Sequence, residues 1–138
     1  MKRVLLLSLS ISLMAGCGSK SSSSDSSASS EAFAGTFTGT ESGTQNGTAF
    51  SQTVSFVLTQ TNNAVAGTWS STSGGSGTVT GTASGSTISD MQVKETDTSC
   101  PGTLTGTMTV SGSQLTASIT GTLTSCGTIA ASVTATKE

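Results

Sequence analysis

GTLTGTMTVSGSQLTASITGTL, residues 102–123, alternates apolar and hydroxyl side chains in period two on either side of a short Ser-Gly-Ser link. Leu104, Met108 and Val110 fall on one phase, and Thr103, Thr105, Thr107 and Thr109 on the other. After Ser111-Gly112-Ser113 the pattern resumes with Leu115, Ala117, Ile119 and Leu123. Successive side chains of a strand point to opposite faces, so the stretch predicts two strands with one apolar and one wet face. Threonine suits the wet face: its β-branched side chain fits the pleat while its hydroxyl stays in water. A link this short makes the two strands antiparallel neighbours.

The same signature extends in both directions. Phe50, Val54, Phe56 and Leu58 oppose Ser51, Thr53, Ser55 and Thr59, and Ile129, Ala131 and Val133 continue the apolar phase near the end. GTVTGTASGSTI (77–88) resembles GTLTGTMTVSGSQL (102–115), with a fainter echo in GTFTGT (35–40), so the repeating unit is one hairpin. Eight strands are predicted, near Phe33–Glu41, Phe50–Gln60, Ala64–Ser71, Gly77–Ala83, Thr87–Thr96, Gly102–Val110, Gln114–Leu123 and Gly127–Thr136. Ile88 is out of step with Met91 and Val93, which predicts a bulge near Ser89-Asp90. Most links are short turns, and Ser42–Ala49 reads as one long connection. The expected fold is all-β, an eight-stranded antiparallel up-and-down barrel, because closure removes exposed strand edges. A β-sandwich is the alternative.

Seven glycines (Gly35, Gly39, Gly67, Gly77, Gly81, Gly106 and Gly121) lie on the inward phase between larger apolar residues. Glycine weakens a strand, so such a run implies tight coiling, rings packed over bare backbone, or internal space. Phe33, Phe37, Phe50, Phe56 and Trp69 are the rings available, and a filled interior is favoured over a cavity.

The amino-terminal part has a different composition. Met1-Lys2-Arg3 is a basic start, and residues 4–14 (VLLLSLSISLM) are an apolar run. That run is well short of the ~20 residues needed to cross a bilayer as a helix. Leu13-Met14-Ala15-Gly16-Cys17 resembles the lipobox of bacterial lipoproteins, with Met14 where leucine is usual. The resemblance implies that residues 1–16 are a signal peptide, and that Cys17 becomes a fatty-acylated amino terminus anchored to a membrane. Gly18 lacks the aspartate that holds such proteins at the inner membrane, so the expected location is the outer membrane. Residues 17–32 include SKSSSSDSSASS, which cannot bury apolar surface and is expected to act as a disordered tether to a barrel domain over residues 33–138. With Cys17 acylated, Cys100 and Cys126 remain of the three cysteines. They lie in near-identical contexts, TSCPGT and TSCGT, each just before a strand. Export makes a disulfide between them the expected state.

The first half of the barrel, from Ala34 to Thr82, resembles the avidin and lipocalin kind of meander barrel. Gly35-Thr36-Phe37 looks like the glycine–aromatic element of the first strand, and Gly67-Thr68-Trp69 like its counterpart in strand three of avidins. Trp69 and Ser71 match ligand-contacting positions of that strand. Gly39 stands where avidins carry an asparagine, no later tryptophan exists, and the chain has no tyrosine. The resemblance therefore implies the architecture and not biotin binding.

The composition also excludes chemistry. There is no histidine, which removes Ser-His and Cys-His nucleophilic pairs and the commonest metal ligand. Charged residues are 9% of the chain and its net charge is −2, so nucleic acid has no electrostatic footprint to meet. Asp90, Glu95 and Asp97 cluster with Lys94 near the end of strand five, where they read as a solvated strand end. Their spacing makes no calcium loop, and no metal or cofactor is expected. Glu41, Gln52 and Gln60 carry inward phase near strand ends and are the polar groups expected at a barrel mouth. The chain is expected to be no enzyme. Its expected role is a lipocalin-like module that binds a small apolar ligand, with Trp69, Phe37, Phe56 and Gln52 facing it. The alternative is a structural or interaction lipoprotein with a solid barrel and a partner in the envelope.

Overall fold

The structure, a computed structural model, describes Glu31–Glu138; Cys17, the signal peptide and most of the tether lie outside the described residues. Eight strands follow one another: β1 (Gly35–Gln45), β2 (Thr48–Thr61), β3 (Ala64–Ser71), β4 (Ser76–Ser84), β5 (Thr87–Glu95), β6 (Gly102–Ser111), β7 (Gln114–Leu123) and β8 (Gly127–Lys137). Each pairs antiparallel with its sequence neighbours, and β1 pairs with β8 to close an up-and-down barrel. The strands alternate as their sequence does. In β7 Leu115, Ala117, Ile119 and Leu123 are buried, while Gln114, Thr116, Ser118, Thr120 and Thr122 are exposed. The outer surface is a lattice of threonine and serine, with Val57 its one exposed large hydrophobic residue among those described. That polar-out, apolar-in order is the reverse of a lipid-facing barrel.

Two details differ from the sequence reading. The Ser42–Ala49 stretch is not a long connection: β1 runs on to Gln45 and β2 starts at Thr48, leaving Asn46-Gly47 as a tight turn. Both turn residues have positive φ (50° and 80°), which is the geometry an Asn-Gly pair supplies at low cost. Phe33 precedes β1 rather than belonging to it. It sits in a turn closed by the Ala34 N–H donating to the Glu31 carbonyl (3.0 Å), and its ring is fully buried.

The bulge at Ser89-Asp90 is present. Between Ile88 and Met91 the pairing slips by one residue against both β4 and β6. The Thr82 N–H, displaced from the ladder there, donates to the Asp90 Oδ1 at 2.9 Å. That bond lowers the Asp90 pKa and supplies the partner the bulge would otherwise remove.

The barrel has two unlike ends. At one end the links between strands are pairs of residues: Asn62-Asn63, Gly85-Ser86 and Gly112-Ser113. Here Phe33 plugs the interior, and the buried Gln60 secures it. Its Oε1 accepts from the Phe33 N–H (3.2 Å) and its Nε2 donates to the Asn62 carbonyl (2.8 Å). Lys137 lies over the Phe37 ring, 5.8 Å from its centre. Above this plug Phe37, Phe56, Leu58, Ile88, Met91, Met108 and Leu115 fill the core side by side. At the other end three of the four links are longer, and the interior opens.

Candidate functional site

The open end is built from the last residues of the odd-numbered strands and the first of the even-numbered ones. Its rim is bonded around much of its circumference. Asn46 of the β1–β2 turn receives the Thr128 N–H on its Oδ1 (3.0 Å), and its Nδ2 donates to the Cys126 carbonyl (3.0 Å). Gln45 Nε2 donates to the same carbonyl (3.0 Å). Cys126 is disulfide-bonded to Cys100, with 5.4 Å between their Cα atoms, which fastens the β7–β8 turn to the β5–β6 loop. On the opposite side the Thr72 N–H donates to the Thr53 carbonyl (3.0 Å), the Thr53 N–H donates to Thr72 Oγ1 (3.2 Å), and Ser73 Oγ donates to Gln52 Oε1. These contacts cover the edge of β2 that β3 is too short to pair.

Inside the rim is a depression of about 350 Å³. Its walls carry Trp69, Phe50, Leu104, Leu123 and Ile129, and its polar groups include Glu41, Glu95, Asp97, Gln45, Gln52, Ser51, Ser71 and Ser73. A hollow of about 20 Å³, bounded by Phe56, Trp69 and Glu41, lies against its floor. No lysine or arginine lines the depression among the described residues.

Strand geometry explains how these residues meet. Ladder rows run perpendicular to the strands, and barrel strands tilt by roughly 35–45°, so each row climbs as it goes round. One inward row runs Phe37, Phe56, Trp69, Gly77, Glu95 and Gly102 from β1 to β6. It starts deep in the core at Phe37 and reaches the mouth at Trp69 and Glu95. Of the four residues expected to face a ligand, Trp69 and Gln52 line the depression and Phe56 lies beneath it. Phe37 is wholly enclosed at the far end, under Lys137. Gln60 was expected beside Glu41 and Gln52 and instead secures the closed end.

Glu41 is nearly enclosed, with 8% of its surface exposed. Its Oε2 accepts from Gln52 Nε2 at 2.7 Å. Burial raises its pKa, and the Gln52 bond opposes that rise. Glu95 is half-buried, and its pKa is pushed up to about 7, first by burial and then by the negative charges of Asp97 and Glu41. Asp97 is held low by the backbone N–H of Ser99, which donates to its Oδ1 at 2.8 Å. The presumed strand-end trio thus divides: Asp90 serves the bulge, Asp97 its own loop, and Glu95 turns inward. A signal for Glu95 was present, because it continues the phase of Met91 and Val93.

Trp69 faces Gly77 across the β3–β4 ladder. A β-carbon on Gly77 would lie 2.6 Å from the Trp69 Nε1, so the bare backbone makes room for the indole. That nitrogen is buried and has no hydrogen-bond partner among the described residues. A buried N–H left unpaired costs on the order of 1–3 kcal/mol, so it is a donor in want of an acceptor.

Compared with known proteins, the chain matches no family model and no curated protein.

Proposed function

We propose that this protein is a lipid-anchored bacterial envelope protein, held through Cys17, whose barrel binds a small molecule at its open end without transforming it. The observation that carries the binding role is the contrast between the ends. A core this well filled needs no opening, yet one end holds a 350 Å³ depression with aromatic walls and two inward carboxylates. Concave sites with apolar walls and a few convergent polar groups are the usual form of ligand sites. A ligand sits in the mouth, above Phe56, and not in a deep calyx, because side chains occupy the space below. The site is non-catalytic in this reading. Ser71 Oγ and Ser73 Oγ lie 3.0 Å apart, Ser73 also bonds to Gln52, and among the described residues no base is hydrogen-bonded to either hydroxyl.

The anchor fits the same geometry. The chain enters the barrel through Phe33 at the closed end, so a tether from Cys17 joins remote from the mouth and leaves it clear. The proposed location is the outer membrane.

Native mass spectrometry of the full-length protein, extracted in mild detergent from its own host, tests the binding role. The expected result is a co-purifying small molecule that dissociates on activation and is lost in Trp69→Ala, with the fold checked by circular dichroism. A protein that is always empty, and whose Trp69 emission responds to no fraction of an envelope small-molecule extract, contradicts it.

A further inference from the structure

We propose that the molecule taken by the mouth is a small organic ammonium ion, its charged nitrogen between Glu41 and Glu95 and its carbon skeleton against the Trp69 ring. This inference rests on the binding role argued above and names the chemistry of its ligand.

Charge is the first argument. Glu41, Glu95 and Asp97 line one small depression, and no cationic side chain among the described residues lines it with them. The negative charges of Glu41 and Asp97 both work against ionisation of Glu95. A cation seated among them turns that repulsion into attraction, and a charge-assisted hydrogen bond to a carboxylate is about twice as strong as a neutral one. An anion would meet only further repulsion.

The nature of the cation follows from the walls. Among the described residues no three acidic or sulfur ligands are grouped to hold a metal ion. Trp69, Phe50, Leu104, Leu123 and Ile129 offer apolar and aromatic surface that a bare ion does not use and a carbon skeleton does. Aromatic faces also attract organic cations.

The Trp69 ring is the second, independent observation. It stands in the wall of the depression and also bounds the hollow at its floor, while its Nε1 is buried on the Gly77 side. The ring therefore offers carbon surface beside the acids. A short amine or amino alcohol has the matching pattern.

The sole tryptophan of the chain is at this site, so its emission reports binding in the full-length protein. Ethanolamine is the probe and ethylene glycol its uncharged isostere, titrated at matched ionic strength and pH. Ethanolamine is expected to change Trp69 emission saturably, with ethylene glycol weaker by about tenfold or more. The charged groups facing Glu95 are Glu41 from β1 and Asp97 from the loop that follows, while β4 and β6 bring Gly77 and Gly102 alongside it. Ethanolamine affinity is therefore expected to fall as the pH drops through about 7 and Glu95 takes up its proton. Glu95→Gln is expected to lose both the charge preference and this pH dependence, while Asp90→Asn, at the exposed bulge, keeps them. Equal responses to the two probes overturn the ammonium assignment and leave the mouth as a site for neutral polyols. No response to either, with a co-purifying ligand that carries no basic nitrogen, also overturns it. An empty protein that answers to nothing contradicts the binding role itself.

Discussion

The indole of Trp69 occupies the space that a side chain on Gly77 would need: a β-carbon there would lie 2.6 Å from Trp69 Nε1 and 1.9 Å from the Lys94 carbonyl oxygen. The pair shows how glycine shapes this barrel. One bare position lets β5 press against β4 and makes room for a ring, so coiling and ring packing have a common origin. Gly39 repeats the first half of the device, with the Thr134 carbonyl oxygen 2.0 Å from its absent β-carbon.

Gly77→Ala is therefore expected to destabilise the barrel by about 1–3 kcal/mol, the usual cost of overpacking, and to shift Trp69 emission. Gly47→Ala is the control. Its β-carbon would meet nothing within 4 Å, but φ is 80°, so its cost is that of the backbone alone, about 1 kcal/mol. Urea denaturation followed by circular dichroism compares the two. A Gly77→Ala protein as stable as the parent would show that the close approach is not real.

The Cys100–Cys126 bridge closes a loop across a sequence separation of 26 residues. Loop-closure entropy puts its contribution at roughly 3.5 kcal/mol. Denaturant midpoints of the Cys100→Ser/Cys126→Ser protein should fall accordingly. Because the bridge ties the β7–β8 turn to the mouth rim, the same variant should bind more weakly than Asp90→Asn.

Stability is expected to depend on pH through the mouth. Glu95 and Glu41 have folded pKa values above their ordinary value of 4.5, so between 4.5 and about 7 the folded chain holds more protons than the unfolded one. Stability from these groups is then greatest at the acid side, falls as the pH rises through about 7 and levels off beyond it. Asp90 and Asp97 act oppositely: their pKa values are lowered, so their contribution is lost as the pH falls below 3.8. Thermal melts should place the optimum near pH 4–5, and Glu95→Gln should flatten the decline toward pH 8.

The anchor makes a separate prediction. Cys17→Ala should lose the acyl mass increment and leave the membrane fraction, with barrel stability unchanged, as measured by intact mass and fractionation. A variant that keeps both would refute the lipidated terminus.

The strands were legible because their two faces differ so sharply. The β3 and β7 bounds follow directly from alternation, and the slip at Ile88 announced the Asp90 bulge. The Asn46-Gly47 turn was missed, because the polar stretch from Ser42 to Ala49 lacks apolar alternation and read as one long connection. Height along the barrel was not legible. Alternation says which face a residue takes, while its depth depends on the tilt that closes the sheet. Phe37 and Trp69 share a row and a phase, yet one is sealed in the core and the other stands at the mouth. Gln60 and Gln52 are likewise in phase on one strand and lie at opposite ends. The junction of Glu41 with Glu95, which are 54 positions apart on non-adjacent strands, has the same origin.

The most direct test of a single open binding end is chemical-shift mapping of the isotope-labelled full-length protein while ethanolamine, or the ligand released from native protein, is added. Trp69 gives the one indole N–H resonance of the chain. The account predicts that this resonance moves together with the side-chain amide of Gln52 and the backbone amides of Glu41 and Glu95. Phe33, Gln60 and Phe37 at the closed end should stay still. Shifts centred on the closed end or on the outer threonine face, with the Trp69 indole unmoved, would contradict it.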